Sequence, residues 1–194
     1  MILAQSTPRA DAYEVTLHGS TLTFDAGAGE RNILAVTTPQ NDVTPFTRRV
    51  GRTFTRELHD SNWVALRDHA ARVDHVPARC IESRAEADHP VVCPFSSVRR
   101  VVIRLGDQDD VSVAYFEGGG LPVPMTIYGG AGQDLLFGGD AGDRIYTGEE
   151  SGWIDHDDSE GLLLADYASG RSGNDKLFGD SGQDILRGAR GNDE

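Results

Sequence analysis

GGAGQDLLF (residues 129–137) is followed without a gap by GGDAGDRIY (138–146), and the same nine-residue unit then recurs up to the last residue. TGEESGWID (147–155) comes next. A five-residue insertion, His156-Asp157-Asp158-Ser159-Glu160, separates it from GLLLADYAS (161–169), GRSGNDKLF (170–178), GDSGQDILR (179–187) and the shortened GARGNDE (188–194). Position by position the unit reads Gly-Gly-x-Gly-x-Asp-x-apolar-x. Glycine tolerates positive φ and carries no Cβ, so successive carbonyls can turn toward one point. The aspartate at the sixth place adds a hard anionic oxygen. An aliphatic residue at the eighth place (Leu136, Ile145, Ile154, Leu177, Leu186) suits a three-residue strand whose middle side chain faces an interior. Glycine loop and short strand together make half a turn of a coil.

The pattern resembles the calcium-binding nonapeptide repeats of secreted bacterial RTX proteins over residues 129–194. That resemblance implies Ca²⁺ as the cofactor and a right-handed parallel β-roll as the fold. Two units would make one turn, and each ion would sit between loops two units apart. Carried over residue by residue, the ligands are Gly130, Gly132, Gly139, Gly173 and Gly182 with the carboxylates of Asp134, Asp143, Asp166, Asp175, Asp184 and Asp193. Calcium asks for six to eight oxygens at about 2.3–2.6 Å, which glycine carbonyls and aspartates supply together. Taking alternate units puts Asp134, Asp175 and Asp193 on one edge, with Gly152 in the place of a fourth carboxylate, and Asp143, Asp166 and Asp184 on the other. The insertion at 156–160 is where this parity would break. Unit 161–169 has leucines in place of glycines and unit 147–155 lacks the carboxylate, so the middle of the roll is expected to bind ions poorly. The best-formed loops are 129–134, 138–143, 170–175 and 179–184.

Charge supports an ion-dependent fold. Of a net −13, residues 1–105 carry +1 (13 Arg against 12 Asp and Glu), while residues 106–194 carry −14 and 19 of the 23 glycines. A block of like charge repels itself unless cations neutralise it. The same balance excludes nucleic acid and anionic membrane surfaces as partners, since both need clustered positive charge. No run of about 18 apolar residues is present for membrane insertion, which also excludes a pore-forming cytolysin. The opening Met1-Ile2-Leu3-Ala4-Gln5 has no charged leader, and the last unit stops at Asp193-Glu194. Both lead to the expectation of a chain incomplete at one or both ends. Calcium ions are the expected partner, an extracellular location follows from the resemblance, and any further extracellular or cell-surface ligand is left open.

The expected architecture is all-β, with an N-terminal antiparallel β domain (1–97), transitional strands (98–128) and the β-roll (129–194). Tyr13 to Leu17, Thr21 to Phe24 and Ile33 to Val36 alternate between turn signals and read as three short antiparallel strands capping the roll. Residues 38–62, polar and with Pro39 and Pro45, read as a long loop. Trp63 to Asp68 fits a strand better than a helix. Val98 to Leu105 is a strand leading into Gly106-Asp107-Gln108-Asp109-Asp110, an early degenerate repeat with Asp110 as a further candidate ligand; Gly118-Gly119-Gly120 interrupts it and Thr126-Ile127-Tyr128 resumes it. Cys80 and Cys93 are the only cysteines. An even count in a chain with extracellular features reads as a disulfide, two buried thiols being the other reading.

Catalytic readings are weaker. Gly179-Asp180-Ser181-Gly182 resembles the stretch around a serine-protease nucleophile but is already explained as the opening of a repeat, and no His and carboxylate are placed beside it. Asp68-His69 and Asp74-His75 lack the four-residue spacing of a helical zinc pair. Asp155 to Asp166 has an EF-hand flavour with its glycine one residue late. Phe137, Tyr146, Trp153 and Phe178 lie at positions that would be outside the roll, available to stack on sugars or to pack on the insertion. The reading is a non-enzymatic calcium-binding protein of structural or adhesive type; its alternative is the accessory region of a larger secreted protease or lipase.

Overall fold

The computed structural model describes residues 12–37, 47–50, 53–57, 63–68, 72–82, 90–114, 121–149, 167–179 and 185–194. Among them the chain is all strand apart from one 3₁₀ turn, Phe95–Ser97. The strands are β1 (Ala12–His18), β2 (Thr21–Asp25), β3 (Ile33–Thr37), β4 (Thr47–Val50), β5 (Thr53–Glu57), β6 (Trp63–Asp68), β7 (Arg72–His75), β8 (Ile81–Glu82) and β9 (Val91–Pro94). They continue with β10 (Arg100–Gly106), β11 (Val111–Ala114), β12 (Met125–Ala131), β13 (Leu135–Phe137), β14 (Arg144–Glu149), β15 (Tyr167–Ser172), β16 (Lys176–Phe178) and β17 (Ile185–Arg190).

Two mixed sheets carry almost everything. One runs β16-β14-β12-β10-β2-β1-β7 and the other β17-β15-β13-β11-β3-β6-β9-β8. From β10 onward successive strands alternate between the sheets, and each pairs in parallel with the strand two places along. β2 and β3 extend the same parallel rows, pairing with β10 and β11. Antiparallel pairing is confined to the N-terminal flank, in β1–β2, β3–β6, β6–β9 and β8–β9, and to the separate β4–β5 pair.

Period-two alternation explains which side chains go inside. In the first sheet Phe24, Ile103, Ile127, Ile145 and Leu177 stand level, and in the second Leu34, Ser112, Leu136, Ala168 and Leu186. Both rows feed one apolar cluster that also takes Tyr13, Leu22 and Leu66 from the N-terminal strands. The inward expectation for the eighth position is met by Leu136 and Ile145, both fully buried. Leu177 is only partly buried and Leu186 is 39% exposed, because β16 and β17 are the outermost strands of their sheets among the described residues. Ile154 lies outside the described residues.

Three expectations are corrected. The segment 12–37 is not an antiparallel triplet: β1 and β2 form a hairpin, whereas β3 crosses to the other sheet. The long loop at 38–62 contains the antiparallel pair β4–β5. The aspartate parity also fails. Thr126 pairs with Arg144 and Tyr167 with Ile185, each two units on, but Leu135 pairs with Tyr167 and Arg144 with Lys176, well beyond two units. The excess of 14 equals unit 147–155 plus the five inserted residues, so unit 161–169 takes the place the earlier unit would have had. The strand at 63–68 and the Cys80–Cys93 disulfide are as the sequence predicts, the bridge tying β9 to the segment before β8 with Cα atoms 4.3 Å apart.

Candidate metal centre

Asp134, Asp143 and Asp175, each the sixth residue of its unit, immediately precede a strand, and parallel pairing of the strands stacks the sixth residues. Asp110 and Asp134 precede β11 and β13 in one sheet; Asp143, Asp175 and Asp193 form a row along the other. Within a row each carboxylate reaches back one turn. Asp134 Oδ1 accepts the Asp110 backbone N–H at 2.9 Å, Asp143 Oδ1 that of Met125 at 2.7 Å, Asp175 Oδ1 that of Asp143 at 2.8 Å and Asp193 Oδ1 that of Asp175 at 3.1 Å. One oxygen of each aspartate therefore links consecutive turns. A parallel ladder links the fifth positions, with Asp109 Oδ1 accepting Gln133 N–H and Asn174 Oδ1 accepting Asn192 N–H, both at 2.9 Å.

The second oxygen faces the first glycine of its own unit. A Cβ on Gly129, Gly138, Gly170 or Gly188 would collide with Oδ2 of Asp134, Asp143, Asp175 or Asp193 respectively. That is the physical reason for glycine at the first place. At the second place Gly130 takes φ 112, and a Cβ there would meet the Gly106 carbonyl oxygen of the preceding turn. Gly132 and Gly173 likewise leave room for the carbonyls of Gln108 and Ala141, and Gly139 for that of Leu121. Asp143 Oδ2 accepts the Gly139 N–H at 2.6 Å, whereas Oδ2 of Asp110 and of Asp175 is buried without a hydrogen-bond partner.

These carboxylates sit where water does not. Asp110, Asp134, Asp143 and Asp175 are each at most 2% exposed. Burial pushes Asp110 and Asp143 up to about 7 and raises Asp175, against the pull of the backbone N–H groups they accept; neighbouring carboxylates, Asp68 for Asp110, Asp175 for Asp143 and Asp193 for Asp175, push the same way. Leaving a buried carboxylate charged and unmatched costs several kcal/mol, so the rows need protons or cations.

Residues 126–154 and 160–194 match the family of RTX calcium-binding nonapeptide repeats, in 4 copies. These segments are RTX repeats. No curated protein and no solved structure matches the chain. RTX repeats bind Ca²⁺, and the residues present fit that ion: the donors are all hard oxygens, Asp110 and Asp175 each hold an unpartnered buried oxygen, and the glycine places hold carbonyls where a side chain would otherwise stand. Among the described residues no group of three or more His, Cys, Asp or Glu side chains comes together.

Of the predicted ligands, Gly130 lies near the end of β12, Gly132 and Asp134 between β12 and β13, Gly139 and Asp143 between β13 and β14, and Gly173 and Asp175 between β15 and β16; Asp193 follows β17 and Asp110 precedes β11. Asp166, Gly182 and Asp184 lie outside the described residues, as do the insertion, Trp153, His69 and most of the Gly179–Gly182 stretch. Asp74 and His75 are exposed on β7, while Asp68 is buried and its Oδ1 accepts the Ile33 N–H at 3.1 Å. Sequence reasoning missed Asn32, which precedes β3 as Asp110 precedes β11. The signal was present in the glycine-bearing loop Ala26 to Asn32, seven residues where Gly129 to Asp134 takes six, followed by alternating Ile33 to Thr37. Among the described residues the other three aromatics, Phe137, Tyr146 and Phe178, pack on neighbouring rings. Tyr146 is sandwiched between Tyr128 (4.9 Å) and Phe178 (4.6 Å), and Phe137 packs on Tyr167 (5.5 Å) under the Arg171 guanidinium.

Proposed function

We propose that this protein is a secreted or cell-surface component of structural or adhesive type whose acidic half folds into a parallel β-roll when calcium fills its loops. The ion-responsive segment is 129–194, joined through 98–128 to the β-rich segment 1–97. The ligands are the carboxylates of Asp110, Asp134, Asp143, Asp166, Asp175, Asp184 and Asp193 with carbonyls around Gly130, Gly132, Gly139, Gly173 and Gly182. The observation that carries this reading is the buried carboxylate rows, in which Asp110 and Asp175 keep one oxygen unsatisfied. When bound, the ion supplies positive charge that offsets the repulsion between stacked aspartates. The chain's own carboxylates hold consecutive turns together through their other oxygen.

Extracellular sites of modest affinity have Kd near 10⁻⁴ M, so ~1 mM calcium would add roughly 1.4 kcal/mol per site, and several sites together match the stability of a small domain. A cell interior with far less free calcium would leave the acidic half unfolded. Calcium titration followed by circular dichroism tests this, with Asp134, Asp143, Asp175 and Asp184 changed to Ala in one variant. A β signal that appears with calcium in the parent and is lost in the variant is expected. An unaltered response in the variant, or a protease-resistant acidic half in excess chelator, would sink the proposal.

A further inference from the structure

Asn32 occupies the place in the first turn that an aspartate holds in later ones. Ile33, Val111 and Leu135 stand level across β3, β11 and β13, so the residues before them, Asn32, Asp110 and Asp134, form one row. The ladder begins here too: the Asn32 backbone N–H donates to Asp110 Oδ1 at 2.6 Å. The side chain behaves differently from a carboxylate. Asn32 Nδ2 donates to the Leu105 carbonyl oxygen (2.9 Å), the Glu30 carbonyl oxygen (3.1 Å) and Asp110 Oδ1 (3.2 Å). Three oxygens thus converge on one amide nitrogen, fully buried. They are of the kinds a hard cation collects: two backbone carbonyls and a carboxylate.

The surroundings are those of a rung closed by direct hydrogen bonds, although Asn32 Oδ1 and Asp110 Oδ2 are buried there without a hydrogen-bond partner. Leu105 lies between the paired positions Arg104–Tyr128 and Gly106–Gly130, so it is level with Gly129. Where Gly129 leaves space for a carboxylate oxygen, Leu105 puts a fully buried apolar side chain into the core. Other contacts between the same two loops are also direct hydrogen bonds: Gly29 N–H to Asp107 Oδ1 at 2.7 Å, and Arg31 Nε to the Asp109 carbonyl at 3.0 Å. Just outside them Arg104 pairs with Asp25 at 2.8 Å.

We infer that the Asn32 amide stands in for a bound ion in the first rung, so that β2, β3, β10 and β11 stay together without calcium and form the metal-independent end on which the ion-dependent turns assemble. This rests on the calcium reading for the later turns, but the two fail separately. An amide cannot be removed by chelation, whereas an ion can. The N-terminal rows also bury the bulkier side chains, Phe24 and Leu34, against Ala168 and a half-covered Leu177 further along.

Hydrogen exchange of the full chain, read by mass spectrometry in millimolar calcium and in excess chelator, tests the inference. In chelator the amides of β2, β3, β10 and β11 are expected to keep protection while those of β13 to β17 lose it. Asn32→Leu, of similar size and without the donors, is expected to lower protection of β3 and β11 in chelator by roughly tenfold or more, the scale of a lost buried hydrogen-bond set. Asn32→Asp is expected to make protection of β3 and β11 calcium-dependent, because the cation-like donor is replaced by a ligand. Simultaneous loss of protection in both halves of the parent on chelation would overturn the inference, as would parent-like protection of β3 and β11 in Asn32→Leu. Equal protection of β13 to β17 with and without calcium would instead overturn the calcium reading and leave the N-terminal result to be judged by Asn32→Leu alone.

Discussion

At the scale of single residues, the aspartates of the repeats have two separable tasks, and the structure shows them on different oxygens. Oδ1 holds the backbone of the turn before, while Oδ2 of Asp134, Asp143, Asp175 and Asp193 is kept against the first glycine; that oxygen is unsatisfied in Asp175, as it is in Asp110, whose unit has Leu105 at the first place. Without a cation, the charge of Oδ2 has to be removed by a proton. Asp110 and Asp143, pushed up to about 7 by burial from an ordinary 3.8, hold more protons folded than unfolded between those values. Their contribution to stability in chelator is therefore present at low pH and lost as pH rises toward about 7, on the order of a few kcal/mol for each group. In excess chelator the far-UV β signal is expected to grow as pH is lowered from about 8 to about 5, and calcium affinity is expected to fall over the same interval because ion and proton compete. Circular dichroism and calcium titration at both pH values check this. A chelated protein with more β structure at pH 8 than at pH 5 would contradict the assignment of these carboxylates as buried and unmatched.

At the scale of elements, short strands need something to fix their register, because three-residue strands such as β13 and β16 make few ladder hydrogen bonds. Outside the first sheet, Arg104, Tyr128, Tyr146 and Phe178 stand level on four adjacent strands, with ring planes within 9° of parallel and the guanidinium 5.8 Å from the Tyr128 ring centroid. A slip by one residue would send all of them to the interior face. Aromatic pairs contribute about 0.5–1.5 kcal/mol each beyond the area they bury. Tyr146→Ala removes two pairs at once and is expected to lower the stability of the calcium-loaded protein by roughly 2–3 kcal/mol. Calcium affinity of the loops should change little by comparison. Denaturant unfolding in saturating calcium measures the first quantity; a loss below about 0.5 kcal/mol would show that the rings merely sit beside one another. Aromatics at the ninth place were legible in the sequence as outward-facing. Their partners were not, because rings one unit apart fall on opposite sheets, and only the pairing of β14 with β16 across the insertion brings Phe178 to Tyr146.

At the scale of the whole molecule, the period of nine was readable directly from Gly129 onward, and with it the alternation of strands between two sheets and the ligand types. The limits of that reading are physical. A surplus of residues in a loop costs only slowly growing closure entropy. Nothing in the sequence therefore distinguishes an insertion of five from an excursion of 14, and the aspartate rows shift by one unit depending on which is true. The first turn was missed for a related reason, since its loop is one residue longer and ends in Asn32, so no fixed spacing marks it. The pairing makes the excursion testable. Ala131 and Leu135 are separated by three residues, Gly132-Gln133-Asp134, where β12 hands over to β13. Removing residues 150–163 leaves Glu149 joined to Leu164-Ala165-Asp166 and then Tyr167, the same three-residue spacing, while Leu135–Tyr167 and Arg144–Lys176 become two units apart like their neighbours. The shortened chain is expected to keep its calcium-induced β signal and to lie within about 2 kcal/mol of the parent, since shortening the connection to three residues changes the closure entropy by only about 1.5 kcal/mol. Had the insertion been only His156 to Glu160, with unit 147–155 forming a turn of its own, the same deletion would remove a stacked element and put every later aspartate on the wrong edge. Loss of the calcium response on deleting 150–163, together with its survival on deleting 156–160 alone, would restore the parity that the nine-residue count first suggested.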